Sequence, residues 1–236
     1  MKRCVIVGGA DIGSYEYVRS LFSGGDFFVF CDSGLRHMDR LGVRPSLIVG
    51  DFDSHENPHL ETETIVLPRE KDDTDTVYGV KEALKRGFDT FLLVGVVGGR
   101  LDHTLGNVSI LLYLDAIGKK GLIVDDYSEM EIVSSSPVSV SGRYAYFSLL
   151  NVTGCARGVT IQNAKYPLDN AEITCEYQYG HQQRSPSGAD SPRLRPRRQA
   201  PADQGFCKIT LQAVTSEKRG PDFAWNPPSF FLLAVQ

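Results

Sequence analysis

Short apolar runs alternating with helix-like segments constrain this chain more than any other feature. Runs at 4–7, 27–31, 47–49, 65–67, 91–97 and 122–124 are bounded by turn residues and short enough for buried strands. Between them, residues 14–22, 33–41, 74–86 and 102–116 space their apolar side chains as helices do, and Gly42, Gly87 and Gly118 stop three of these segments. Strands that are apolar on both faces and alternate with helices predict an α/β fold, a mostly parallel sheet with helices on both faces. After Asp126 the pattern changes to short alternating stretches at 129–133, 138–148, 159–162 and 172–177, separated by Ser, Gly, Asn and Pro. That pattern predicts a β-rich second unit, joined near Asp125-Asp126-Tyr127-Ser128.

Composition matters most at the C-terminal end. Seven of the 12 prolines lie in residues 181–236, where eight Lys and Arg face four Asp and Glu, whereas residues 1–180 carry 17 against 25. The expected organisation is therefore an α/β domain over 1–126, a β-rich unit over 127–180 and an atypical Pro/Arg-rich tail over 181–236. A net charge of −4 provides no general basic field, which argues against nucleic acid as a partner. The apolar runs at 91–97 and 230–235 are too short to cross a bilayer, so no membrane association is expected. Five scattered cysteines without a C-x-x-C pair fit reduced thiols in a cytoplasmic protein better than a disulfide frame or a zinc site.

Acidic residues fall where such a sheet binds ligands. Asp32 follows the run at 27–31, Asp51 and Asp53 follow the run at 47–49, and Asp102 comes soon after 91–97. The crevice of an open α/β sheet lies at the carboxyl ends of its strands, so acids from three strand ends can converge there. In Gly50-Asp51-Phe52-Asp53-Ser54, alternate acids project the same way and offer hard oxygens for Mg²⁺ bridging phosphates. A surface turn rich in Asp and Ser is the competing reading. Lys71-Asp72-Asp73-Thr74-Asp75-Thr76 opens a helix, where acids also act as caps, but three acids and a lysine exceed what a cap requires. Asp72 and Asp75 can share one face, and Lys71 suits a phosphate oxygen. Gly98-Gly99-Arg100-Leu101-Asp102-His103-Thr104 combines glycines that admit a ligand to the backbone with a guanidinium fork for phosphate. His103 is read as a positioning group. The loop Gly8-Gly9-Ala10-Asp11-Ile12-Gly13-Ser14 has neither the G-x-G-x-x-G nor the Walker spacing, and the chain contains no nucleophile elbow. Acids with one Lys and one Arg point to phosphoryl or diphosphoryl transfer by electrostatic stabilisation.

In their order, Asp32-Ser33-Gly34, Gly50-Asp51-Phe52-Asp53-Ser54, Lys71-Asp72-x-Thr74-Asp75 and Gly98-Gly99-Arg100-x-Asp102-His103 resemble the thiamine pyrophosphokinase family over about the first 130 residues. The resemblance implies an N-terminal domain binding ATP and Mg²⁺, a smaller C-terminal β-sandwich domain contributing to a thiamine pocket, and a homodimer. It implies transfer of the diphosphate of ATP to the hydroxyl of thiamine, with AMP as the second product. By carry-over, Asp51, Asp53, Asp72, Asp75 and Asp102 become the catalytic acids, and Asp51, Asp53, Asp75 and Asp102 the metal ligands. Asp32, Ser54, Lys71, Thr74, Gly99, Arg100 and His103 become nucleotide-binding residues.

Val159-Thr160-Ile161 and Tyr166-Pro167-Leu168 with Gly180 are similar to the family's second domain. There the likeness ends. Bacterial members follow this glycine with an Ile-Ser-Asn-Glu-like run, and here the chain reads His181-Gln182-Gln183-Arg184. Codons CAT CAG CAA CGA for this stretch, read one base later, encode Ile-Ser-Asn and then Glu or Asp. A shifted reading frame is the expectation, and with it the loss of the last strands of the sandwich and an uncovered sheet edge. Two alternatives carry other functions: a Mg²⁺-dependent nucleotide phosphohydrolase, and a non-catalytic nucleotide- or partner-binding protein in which residues 193–198 form a basic arm.

Overall fold

The structure, a computed structural model, describes residues 2–53, 59–134, 137–140, 144, 146–152 and 154–177, together with the backbone of 180–184, 207–211 and 230–235. Its chain divides into two compact units, Met1–Tyr127 and Ser128–Gln236.

In the first unit the chain runs through β1 (Arg3–Val7), α1 (Tyr15–Ser20), β2 (Phe27–Cys31), a 3-10 segment (Asp32–His37), α2 (Met38–Leu41), β3 (Leu47–Gly50), β4 (Thr64–Val66), α3 (Asp75–Lys85), β5 (Thr90–Val94), α4 (Leu101–Ala116) and β6 (Lys120–Val124). The strands pair in the order β6-β5-β1-β2-β3-β4, and every pair is parallel. Side chains alternate across the sheet, so each strand supplies two cores. Val5, Val7, Phe28, Phe30, Ile48, Leu92 and Val94 pack with Tyr15, Val18, Leu35 and Leu41 on one face. On the other, Ile6, Val29 and Cys31 lie against α3 at Gly79. The α/β architecture expected from the alternating runs is the one observed.

Two details differ from expectation, and both shape the carboxyl edge of the sheet. The run at 91–97 stops being a strand at Val94, because Gly95 turns to a φ of +62°. The chain then crosses the first loop, where Gly8 N donates to Val94 O at 2.9 Å and Ala10 N to Gly95 O at 2.8 Å. The helix expected over 33–41 is split into a 3-10 segment and a single α-turn. Its start packs directly on β1 through a glycine, since a Cβ on Gly34 would sit 2.2 Å from Val7 O. Asp32, at a φ of +38°, makes the sharp turn into that segment.

The second unit contains β7 (Ser128–Val133), β8 (Val138–Val140), β9 (Tyr146–Asn151), β10 (Cys155–Gln162), β11 (Leu168–Thr174), β12 (Gly180–Arg184), β13 (Cys207–Leu211) and β14 (Phe230–Val235). These strands form two antiparallel layers, β12-β9-β14-β7 and β11-β10-β13-β8. Val133, Val140, Phe147, Leu149, Val159, Ile161 and Ile173, drawn from both layers, share one core, which makes the unit a β-sandwich.

Strands after Gly180 correct the expectation that the sandwich loses its last strands. β14 pairs along its full length with both β7 and β9, and β13 lies between β10 and β8. Phe230–Val235 is a continuous apolar run, which suits a strand with neighbours on both sides, and Cys207–Leu211 alternates in the period of a sheet. Proline content of the intervening stretches obscured both signals. Residues 193–198 and Trp225 lie outside the described residues.

Candidate active site

Three adjacent strand ends build the site. Asp32 directly follows β2, Asp51 follows β3, and Asp75 begins α3 after β4. Since β2, β3 and β4 are parallel neighbours, their carboxyl ends emerge on one edge. Gly50 brings two of the acids together: a Cβ there would lie 3.0 Å from Cβ of Asp32. Gly79 brings the third. It falls one helical turn after Asp75, and a Cβ on it would meet Cys31 Sγ at 3.0 Å and Val29 Cγ1 at 3.1 Å. Without that side chain α3 settles onto β2 and carries Asp75 to the end of the strand that leads into Asp32.

Asp32, Asp51 and Asp75 each present a carboxylate oxygen within 4.8 Å of the others. Lys71 joins them, its Nζ donating to Asp51 Oδ2 and lying 3.0 Å from Asp75 Oδ1. Asp32 is 5% exposed, and its Oδ1 is buried with no hydrogen-bond partner among the described residues. Asp75 Oδ1 is also without an aligned hydrogen bond, although it has the Lys71 ion pair. A buried orphan carboxylate oxygen costs free energy unless something positive meets it.

Charge is distributed unevenly over the cluster. Burial, followed by repulsion from Asp75, Asp51 and Asp53, raises the pKa of Asp32. Asp75 is raised by burial as well, against the pull of Lys71. Asp51 is lowered, chiefly by its hydrogen bond from Lys71. Burial disfavours the Lys71 charge, but the bonds to Asp51 and Asp75 outweigh it and the ammonium is strengthened. Three close carboxylates, one with a buried unpaired oxygen, are hard donors of the kind that fit a divalent cation such as Mg²⁺.

Other residues read from the sequence fall around this core in different states. Asp53 N donates to Asp51 Oδ1 at 3.3 Å, so the two acids share a tight turn in which Phe52 has a φ of +56°. Asp53 and Asp102 stand outside the group of three whose oxygens converge. Asp102, at the start of α4, is exposed and bound by the Arg100 fork, with Nε to Oδ1 at 3.2 Å and Nη2 to Oδ2 at 2.6 Å. That pair holds the Asp102 carboxyl down to about 2. Gly99, at a φ of +68°, and His103 are exposed beside it. Asp72 is exposed, and Thr74 caps α3, its Oγ1 accepting from Val77 N at 3.4 Å. Ser54 lies outside the described residues.

Sequence reasoning missed two supports of the first loop. Asp126, after β6, accepts from Gly13 N and Ser14 N, both at 2.8 Å, and clamps the entry to α1. His37 is buried, with Nδ1 2.6 Å from Tyr15 Oη and Nε2 2.9 Å from Ala10 O. A neutral ring with its proton on Nε2 satisfies both contacts. Neither residue belongs to a recognisable motif; for Asp126 the signal was its place two residues after an apolar strand.

Comparison with known proteins finds relatives for both the sequence and the fold. Residues 18–121, which hold Asp32, Asp51, Lys71, Asp75, Arg100 and Asp102, match the family described as thiamin pyrophosphokinase, catalytic domain. Over that stretch the chain is similar to thiamin pyrophosphokinase catalytic domains. Over 188 residues it is 27% identical to thiamine pyrophosphokinase of Bacillus subtilis, covering 74% of this chain and 85% of that protein. Among solved structures, the Bacillus subtilis thiamine pyrophosphokinase superposes with a TM-score of 0.76 at 18% identity, covering 99% of each chain. The Geobacillus thermodenitrificans thiamin pyrophosphokinase gives 0.74 at 21%, covering 99% of this chain and 97% of that one. The Candida albicans enzyme gives 0.68 at 12%, covering 100% and 89%. At such identities the superpositions speak for the fold. The acid cluster lies in the part of the chain that the family match covers.

Proposed function

We propose that this chain is a thiamine diphosphokinase that transfers the terminal diphosphate of ATP to thiamine, and that Asp32, Asp51 and Asp75 form the cation-binding core of its site. The observation that carries this reading is the convergence of three carboxylates, with an orphan buried oxygen on Asp32, inside the matched catalytic domain. A bound Mg²⁺ would supply charge neutralisation for the phosphate oxygens. Lys71 and Arg100 supply positive charge for the same oxygens, and the exposed Gly98-Gly99 backbone admits a phosphate closely. Thr74 and His103 offer hydrogen-bond donors to the diphosphate, while the carboxylates of Asp53, Asp72 and Asp102 serve to orient the cationic groups around it.

In the reaction, the hydroxyl oxygen of thiamine bonds to the β-phosphorus. The bond from that phosphorus to the α–β bridging oxygen breaks, and AMP leaves with the bridging oxygen. The hydroxyl proton passes to a carboxylate of the site. The protein's part is to hold the groups in line and meet the developing charge. The proposal extends to a homodimer in the cytoplasm and to a C-terminal segment whose coding frame is shifted after Gly180.

Formation of AMP and thiamine diphosphate from ATP, Mg²⁺ and thiamine tests the reading, run on this chain and on a form with the other frame restored after Gly180. Thiamine-dependent AMP formation is the expected result. Phosphate release independent of thiamine, or folded protein silent in both forms, would sink it.

A further inference from the structure

Lys71 takes up the same carboxylates that a divalent cation needs. Its Nζ contacts Asp51 Oδ2 and lies 3.0 Å from Asp75 Oδ1, and its side chain is 13% exposed. Both partners belong to the trio whose oxygens converge within 4.8 Å, and the third member, Asp32, has its Oδ1 buried without a hydrogen-bond partner among the described residues. An ammonium wedged between two members of a three-acid cluster offsets their mutual repulsion. It also places a unit charge where a second, doubly charged cation would be strongly repelled, in a site largely shielded from water. Lys71 precedes α3, in a stretch with no helix or strand, and its long flexible stem lets the ammonium leave without moving Asp75 or the helix.

We propose that Lys71 is a tethered counter-cation, which neutralises Asp51 and Asp75 until a divalent cation enters and is then displaced from them, freeing its ammonium for phosphate. The proposal rests on the reading of Asp32, Asp51 and Asp75 as a cation site. It assigns Lys71 two successive partners, where the resemblance gave it only the phosphate. Cation entry and Lys71 release are then one linked equilibrium: whatever weakens the Lys71 pairing tightens the cation, and the reverse.

Acylation of lysine amines, read peptide by peptide by mass spectrometry on the full chain with and without saturating Mn²⁺ and no nucleotide, tests the exchange. Lys71 labelling is expected to rise by about fivefold or more with Mn²⁺. Lys81, paired with Asp73 at 2.5 Å on a half-exposed surface, is expected to keep its rate and serves as the internal control. In parallel, Mn²⁺ titration followed by electron paramagnetic resonance is expected to show Lys71→Met binding the ion about tenfold more tightly than wild type. The labelling arm uses wild-type protein and does not depend on the variant folding. Wild type that binds Mn²⁺ with Lys71 labelling unchanged or slowed would overturn the exchange and leave the cation site standing. Wild type that binds no Mn²⁺, or Asp51→Asn that binds it as wild type does, would overturn the site and the exchange together.

Discussion

Asp51 illustrates how much one residue's role depends on its neighbours. Its carboxylate meets Lys71 and Asp53 N and lies beside Asp32 and Asp75, so it stays charged while those two acids are pushed upward. Asp51→Asn keeps the shape of the side chain and removes the charge. It is expected to lower kcat/KM for thiamine-dependent AMP formation by about a hundredfold or more, with the far-ultraviolet circular dichroism unchanged. His37 makes a prediction about pH. Its pKa lies below the ordinary 6.5, mainly through burial, with Arg36 and Arg40 acting in the same direction and Ala10 O and Asp11 against it. The unfolded chain therefore takes up the proton first. This contribution to stability is complete above about pH 6.5, declines as pH falls through that value, and levels off once the folded ring is protonated too. Urea unfolding at a series of pH values should show that decline in wild type and a flatter profile in His37→Gln.

At the level of elements, glycines decide how closely the helices and turns approach the sheet. The 3-10 segment that follows Asp32 rests on β1 at Gly34, where an added Cβ would lie 2.2 Å from Val7 O and 2.9 Å from Val7 C. Neither atom can yield, because both belong to the backbone of a strand paired with neighbours on both sides. Gly34→Ala is expected to cost roughly 1–3 kcal/mol, measured by chemical denaturation, and to weaken Mn²⁺ binding by shifting Asp32. The apolar runs of β1, β2, β3 and β5 were legible in the sequence because a strand covered on both sides has to be apolar throughout. The 3-10 character of residues 32–37 was not, since their apolar spacing fits a helix and the packing of Gly34 on Val7 joins residues 27 apart in the chain.

For the whole molecule, the C-terminal strands tie the end of the chain into the sandwich. β14 is an interior strand, bonded to β7 on one side and β9 on the other through the same six residues. Deleting residues 185–236 removes β13 and β14 and leaves both of β14's neighbours unpaired on that side. The truncated chain is expected to unfold at lower temperature and to elute as aggregate in size-exclusion chromatography, where the full chain stays dispersed. Unchanged melting and elution would mean that β14 contributes little to the second unit.

Which residue types stand at each strand end is a matter of local pattern, so the α/β class, the acid motifs and the phosphate chemistry could be read directly from the chain. Asp32, Asp51 and Asp75 each follow an apolar run or open a helix, and that much is visible in one dimension. Their convergence is not. It depends on β2, β3 and β4 being neighbours in space, on Gly50 and Gly79 permitting close approach, and on Lys71 folding back over both Asp51 and Asp75. Strand order and contact between distant segments arise from the packing of the whole sheet, which no local window contains. For that reason Asp32 appeared in the sequence as one residue lining a cleft, and only in the folded chain as a buried carboxylate at the centre of the cluster.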